Sequence, residues 1–314
     1  MSNITNSSSF VCPDNASDIC TIGTCPLECA QVTYIPTLAG NTVYVAIFGL
    51  ILIAQIGLGA WYRTWGFLAG MVFGLILETV GYAGRILMHN NPFDFNNFLI
   101  YLICLTIGPA FLSASIYLCL SRIIIVYSPR LSRLQPRTLS LMFMCFDLVA
   151  LILQAAGGAI AASADDDQNE SDTGRNIMIA GLVWQVASLA VFMLLWADYL
   201  WRLRKSGERV KNEKLRHLRV GFRRFKYFQY ALWTATILIF IRSVYRVVEL
   251  QGGFDGAVAN DEVVFMIFEG PMIILATFVL TVLHPGYAFA GSWQDAAWSL
   301  TGKKTEADAE GIML

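Results

Sequence analysis

Apolar residues in this chain do not alternate with polar ones at short range. They run on in blocks. Seven blocks reach the roughly 20 residues that carry a helix across a bilayer, at about 43–62, 66–88, 98–121, 138–162, 177–200, 230–250 and 263–283. Lipid offers no partners to backbone N–H and C=O groups, so only helices or closed barrels span it, and runs this long are helices. The pattern predicts an all-α membrane protein: a seven-transmembrane-helix bundle over 43–286, with a polar tail 1–42 before it and a tail 287–314 after it. Composition agrees. The chain is 56% hydrophobic and 14% charged, against about 25% charged in soluble domains, which excludes a string of soluble units.

The net charge of −1 hides a strong segregation. The tail 1–42, the second loop (HNNPFDFNN) and the sixth loop (GGFDGAVAND) contain no lysine or arginine. The fourth loop, ASADDDQNESDTGR, is acidic apart from Arg175. Basic residues collect instead at Arg63, at Arg130, Arg133 and Arg137, in eleven positions from Arg202 to Lys226, and at Lys303 and Lys304. Cytoplasmic loops are the basic ones, so the C-terminus is expected in the cytoplasm and the N-terminus outside. Residues 1–42 lack the basic start and apolar stretch of a cleavable signal, so the first span is expected to carry its own tail across.

Glycosylation sequons at Asn3, Asn6, Asn15 and Asn169 all fall on segments expected outside. Cys12, Cys20, Cys25 and Cys29 crowd the outer tail, where an oxidising space favours two disulfides with three possible connectivities. Cys104, Cys119 and Cys145 lie in spans and read as packing. Aromatic groups at Trp61, Tyr62 and Trp65, at Trp196, Tyr199 and Trp201, and at Tyr227, Tyr230 and Trp233 form an inner interfacial belt.

Charges inside the spans change the picture. A charge at the centre of a bilayer helix costs about 2.5–3.5 kcal/mol on insertion scales. Glu78 and Arg85 are seven residues apart in the second span; Arg242, Arg246 and Glu249 sit at i, i+4, i+7 in the sixth. Each set therefore shares a helix face. The order of charge is opposite in the two spans at matching heights, which suggests Glu78 with Arg242 and Arg85 with Glu249, leaving Glu269 of the seventh span for Arg246. One reading is a structural clamp; the other is a polar cavity in the outer half of the bundle whose charges exchange partners.

Asp147 and Gln154 in the fourth span, followed by Gly157–Gly158, and Gln185 in the fifth, are polar at different depths. They mark either a path or interhelical hydrogen bonds. Pro109 frees a carbonyl in the third span, for which Ser113 and Ser115 are candidate donors to a kink. Gly66, Gly70 and Gly74 form overlapping small-xxx-small motifs and predict close helix packing. His284-Pro285-Gly286 ends the last span, with His284 expected as a cap. The basic fifth loop is expected to extend its flanking helices and to attract anionic lipid.

Several chemistries lack their signatures. There is no G-x-x-x-x-G-K-[ST] loop, no G-x-S-x-G elbow, no metal-ligand spacing among His89, His217 and His284, no cofactor motif, and no lysine in the seventh span for a Schiff base. Neither an enzyme nor a nucleic-acid partner is expected. No inverted repeat is apparent.

The chain resembles the fungal lipid-translocating exporter family, seven-span proteins of the aminocholesterol-resistance and sphingoid long-chain base exporter type. The matching pieces run from Tyr34 to Gly286: YIPTLAGN before the first span; Glu78, Gly81, Tyr82 and Arg85; Pro109, Ala114 and Tyr117; Asp147, Gln154 and Gly157–Gly158; Gly181 and Gln185; Arg242, Tyr245, Arg246 and Glu249; Glu262 and Glu269; and His284-Pro285-Gly286. Their order over seven spans carries the resemblance. Where members of that family often have aspartate near the middle of the last span, this chain has Glu269.

The resemblance implies a plasma-membrane protein that protects against toxic amphiphiles by moving sphingoid bases, or sterol-like or porphyrin-like compounds, between leaflets. Its implied transport path is Glu78, Tyr82, Arg85, Asp147, Gln154, Gln185, Arg242, Tyr245, Arg246, Glu249 and Glu269. Membrane lipids are the implied partners. Glu78, Glu249 and Glu269 are candidates to receive a cationic amine in place of an internal arginine, with the alkyl chain left in lipid. The competing reading is a seven-span sensor or receptor that alters lipid asymmetry indirectly. A rhodopsin-like receptor is disfavoured, because the third span ends SRIIIVY and the last lacks N-P-x-x-Y.

Overall fold

In a computed structural model, residues 20, 24–27, 30, 32, 34–163, 168–206, 223–252, 261–291, 293, 294 and 296 are described. They form nine α-helices: α1 (Leu38–Trp61), α2 (Trp65–Asn90), α3 (Phe95–Tyr127), α4 (Pro136–Ser163), α5 (Gln168–Lys205), α6 (Arg223–Gln251), α7 (Glu262–Phe268), α8 (Gly270–Val282) and α9 (Pro285–Ala288). Seven stretches are long and apolar enough to cross a membrane, with α7 to α9 counting as one. The expected seven-helix membrane architecture is therefore present.

Local chemistry sets the helix ends. Asp94 caps α3, its side chain accepting from Asn96 N at 2.9 Å, and Asp261 caps α7 by accepting from Val263 N and Val264 N at 3.0 and 3.2 Å. At the other end of α1, Arg63 takes φ +53° while Thr64 N donates to Gly59 O and Arg63 N to Ala60 O, a Schellman-type stop that lets α2 begin two residues later. Several helices outrun the apolar blocks. The helix α5 begins at Gln168, inside the segment expected as a loop, and continues to Lys205 on the basic side. Intrahelical bonding continues past the hydrocarbon edge, so length was underestimated from apolarity alone.

Successive helices pack as neighbours, α1 on α2, α2 on α3, α3 on α4, α4 on α5 and α5 on α6, while α8 closes against both α6 and α1. The most buried span is α3, which also touches α6. Small residues make the tightest seams. A Cβ built on Gly70 would meet Ser115 Oγ and Phe111 O, and one on Gly74 would meet Leu112 and Gly108 O, so two of the three expected glycines bring α2 against α3. Gly66 is looser, its nearest neighbour lying at 3.5 Å. The α4–α5 seam is closed by Gly157 and Gly174, whose built Cβ atoms fall 2.6 Å from Gly174 O and 2.4 Å from Ala161 N.

The two ends of the bundle differ. At the end carrying residues 34–37, Thr37 N and Oγ1 both donate to Glu262, and Pro36 O lies 2.8 Å from His89 Nδ1. Cys20 and Cys25 form a disulfide; Cys12 and Cys29 lie outside the described residues, as do Asn3, Asn6 and Asn15, while Asn169 lies on α5. At the opposite end His284 caps α9, its Nδ1 accepting from Gly286 N at 3.1 Å. Phe289 and Trp293 are buried beyond it, and the Arg122 guanidinium lies 3.9 Å from the Trp293 ring centroid while donating to Trp293 O.

Candidate functional site

Two proline interruptions meet in the bundle. Pro109 has no N–H, so the carbonyl of Leu105, four residues back on α3, loses its helical partner. In the seventh span Pro271 follows Glu269 and Gly270, and the helix breaks between α7 and α8 at Glu269. Arg242 of α6 spans the gap: its guanidinium donates both to Leu105 O and to the Glu269 carboxylate. The helix break thus carries the carboxylate, and the kinked helix supplies an acceptor for the same arginine. The freed carbonyl of α3 is taken by Arg242 rather than by Ser113 or Ser115; Ser115 Oγ turns to Phe67 O and Phe111 O instead.

The observed ion pairs correct the expected ones. Glu269 pairs with Arg242, not Arg246. Arg246 pairs with Glu249 on its own helix at 2.6 Å, and reaches Thr106 Oγ1 at 3.5 Å. Arg85 does not reach Glu249. It donates to Asn41 Oδ1 (3.2 Å) and Tyr34 Oη (3.0 Å), lies 4.0 Å from Glu262, and sits over the Phe265 ring at 3.9 Å with Tyr101 and Tyr34 at 5.0 and 5.7 Å. Glu78 makes no ion pair with Arg242, though Arg242, Glu269 and Arg246 are its charged neighbours. Arg242 does stand near Glu78, as the helix rise suggests, but its guanidinium is taken by Glu269 and by the Leu105 carbonyl that Pro109 frees.

The cluster is sealed. Glu78, Arg85, Arg242, Arg246, Glu249 and Glu269 are at most 4% exposed. In this conformation they are interior groups, not the lining of an open cavity. Their polar demand is nonetheless unmet: Glu78 Oε1, Glu269 Oε2, Tyr82 Oη, Tyr245 Oη, Arg242 Nε and Arg246 Nε are buried with no hydrogen-bond partner among the described residues. Buried polar atoms are nearly always satisfied, so this many in one cluster makes it the candidate site. Gly108 makes room for Glu78; a Cβ there would lie 2.9 Å from Glu78 Oε1. Gly270 does the same for Tyr82, whose hydroxyl lies 2.9 Å from the built Cβ. The Tyr82 ring is held between Tyr44 and Phe48, and the Tyr245 ring stacks on Phe268.

A second polar group lies across α3. Tyr117 Oη donates to Asp147 Oδ2 at 3.0 Å, and Gln154 Nε2 donates to Gln185 Oε1 at 3.2 Å. The expected site residues thus separate into two groups, the charged cluster and this one. Sequence reasoning missed several contributors: Asn41 and Phe265 around Arg85, Gly108 beside Glu78, Tyr44, which donates to Met266 O at 2.7 Å just before the helix break, and Pro271 itself. Proline within an apolar run was a readable signal for the last; the others depend on neighbours distant in sequence.

Seven spans around a sealed, under-satisfied charge cluster define a polytopic membrane protein with an intramembrane polar site. Residues 71–292 match the family described as RTA1 like protein. The chain is 36% identical over 282 residues to the sphingoid long-chain base transporter RSB1 of Saccharomyces cerevisiae (strain Lalvin EC1118), covering 82% of this chain and 74% of the relative. It is 28% identical over 215 residues to Protein RTA1 (68% and 64% covered) and 30% over 213 residues to Protein RTM1 (68% and 65%), both of S. cerevisiae. The chain belongs to the RTA1-like family. No solved structure matches it.

Proposed function

We propose that this protein is a lipid-translocating exporter that moves sphingoid bases or similar amphiphilic amines across the plasma membrane, with its N-terminus outside and its C-terminus in the cytoplasm. It acts as a transporter rather than an enzyme. The observation that carries the reading is the Glu78–Glu269 pair of carboxylates beside Arg242, each with one buried oxygen unpartnered. An ammonium brings three donors and one positive charge. It suits two carboxylate oxygens and the Tyr82 hydroxyl, and it neutralises the charge left when Arg242 turns away. The alkyl chain needs no protein cavity if it stays in the bilayer. The similarity to a sphingoid long-chain base transporter supports the substrate class, and the charge asymmetry of the loops supports the orientation.

In this mechanism Arg242 holds the site shut by joining α3, α6 and the α7–α8 break. The amine competes for Glu269, Arg242 is released, and the two proline-weakened helices become free to shift. Arg85 with Tyr34 and Asn41, and Arg246 with Glu249, are the pairs nearest the end at which the base would leave.

The test is movement of labelled sphingoid base by purified protein in vesicles. Glu78→Gln and Glu269→Gln are expected to lower the initial rate by about tenfold or more, the loss of one charge-assisted hydrogen bond, with the protein still folded. Full rates in both variants would remove these carboxylates from the path. No transport by the wild type would favour the seven-span sensor, a reading to which the sealed packing of the cluster lends weight.

A further inference from the structure

Asp147 is a buried carboxyl of a different kind. It is 4% exposed, and no cation among the described residues pairs with it. Its Oδ2 accepts from Tyr117, while its Oδ1 is buried with no partner. The α4–α5 register can be read from the contacts of Gly181 with Gln154, Gly157 with Met178 and Gly174 with Ala161, and it continues through the Phe143–Phe192 ring pair at 5.3 Å. On that register Ser188 of α5 stands opposite Asp147. Its hydroxyl is also buried and unpartnered. Two unsatisfied oxygens therefore occupy one level of one seam.

We propose that Asp147 is a proton-carrying site that couples proton entry to export of the base. The inference rests on the exporter reading. An ionised carboxylate without a cation is costly inside a protein, whereas a protonated one needs only an acceptor. Ser188 can donate to an ionised Oδ1 or accept from a protonated one, so the seam can hold Asp147 in both states, and only the protonated state is free of an uncompensated buried charge. The elements packed on α4 are α3 and α5. The titratable group facing Asp147 from α3 is Tyr117, and α5 offers the uncharged Ser188 and Gln185. A metal cation fits less well. Gln154, whose Oε1 is also unpartnered, is seven residues away, about 10 Å along the helix. That leaves two oxygens for an ion that takes several.

The link to the charged cluster is α3. Tyr117 holds Asp147 from one side of that helix, and Leu105, freed by Pro109, holds Arg242 from the other. Taking up a proton weakens the Tyr117 bond by removing the charge it stabilises, which loosens α3 where Arg242 must let go. In each cycle one proton binds Asp147 from one side and leaves to the other as one ammonium moves the opposite way.

Infrared difference spectra of the protein in lipid, recorded across pH, are expected to show a protonated-carboxyl band that is absent in Asp147→Asn. Tyr117→Phe should move the pH at which the band is lost. In vesicles, a gradient of one pH unit should raise the base gradient about tenfold for one-to-one exchange, measured above the passive trapping seen in protein-free vesicles. Asp147→Asn should lose that increment. A spectrum with no band assignable to Asp147 overturns the proposal, as does an undiminished increment in Asp147→Asn or a rate driven by a sodium gradient instead. If the wild type moves no base, the exporter reading fails, and the infrared band still decides whether Asp147 carries a proton.

Discussion

Glu269 and Asp147 are carboxylates sealed to a similar degree, at 1% and 4% exposure. Their surroundings differ. Glu269 stands at a helix break and holds an arginine that is itself tied to a kinked helix. Asp147 sits in the middle of an unbroken helix, in a seam drawn tight by glycines, with a tyrosine hydroxyl as its hydrogen-bond partner. The first arrangement keeps both charges and joins three spans through them. The second keeps a group whose charge no cation among the described residues balances. Burial alone therefore does not say what a membrane carboxylate does; the presence of a cation separates a latch from a switch.

The largest effect is expected at the latch. Arg242→Gln leaves Glu269 without a cationic partner and replaces the charged donor of Leu105 O by a shorter, neutral amide, at a cost of about 3–5 kcal/mol for the broken pair. Thermal unfolding of the purified protein should show a large drop in midpoint. Replacing both partners, Arg242→Met with Glu269→Met, should recover most of it, because a buried ion pair is seldom a net gain over apolar packing. A single variant as stable as the wild type would mean that water reaches the pair, and the comparison with Asp147 would lose its basis.

Next comes the space around Glu78. Gly108→Ala puts a methyl group 2.9 Å from Glu78 Oε1 and 3.3 Å from its Cγ. Overpacking of this order costs about 1–3 kcal/mol, and Glu78 must shift, so amine-dependent transport should fall more than stability does. Across α3, Gly158→Ala meets nothing nearer than Met178 Sδ at 3.7 Å and should be silent in both assays. Gly157→Ala is the sharper control: its methyl would lie 2.6 Å from backbone atoms of α5, and it should destabilise the seam without touching the charged cluster.

Asp147→Asn is expected to change stability by no more than about 1 kcal/mol, the scale of one neutral hydrogen bond. The amide keeps an oxygen for Tyr117 and brings an N–H toward Ser188. The contrast with Arg242→Gln in the same unfolding experiment is the most direct check on the distinction. A loss of several kcal/mol would show that Asp147 has a cationic partner in solution.

The architecture was legible because the bilayer imposes it: runs of about 20 apolar residues have few alternatives to helices. The identity of the interior charges was legible for the same reason, since each is an exception to its surroundings. Their pairing was not. Matching heights on α2 and α6 suggested Glu78 with Arg242, but a shared height does not say which carboxylate the arginine takes: the break at Glu269 and the carbonyl freed by Pro109 claim Arg242, and local geometry gave Arg246 a partner three residues away on its own helix. Gly70 and Gly74 announced close packing through their spacing, whereas Gly108 carries no repeat and has meaning only beside Glu78. The Tyr34 and Asn41 contacts to Arg85 depend on the approach to α1 folding onto α2, which no periodicity encodes.

The smallest effect is expected where ion pairs are most visible. Asp198 on α5 accepts from Arg133 Nε at 2.9 Å and lies 3.0 Å from Arg202 Nε, a three-residue network at the end of the bundle opposite Tyr34. Asp198 meets two guanidinium groups where Glu269 meets one. Yet Arg133 is 59% exposed and Arg202 38%, and charges in water interact weakly and are screened by salt. Asp198→Asn should leave the unfolding midpoint unchanged at physiological ionic strength and shift it, if at all, only at low salt. A loss comparable to that of Arg242→Gln would mean that the number of partners, not their exclusion from water, sets the strength of these pairs, and the separation of latch from switch would have to be drawn elsewhere.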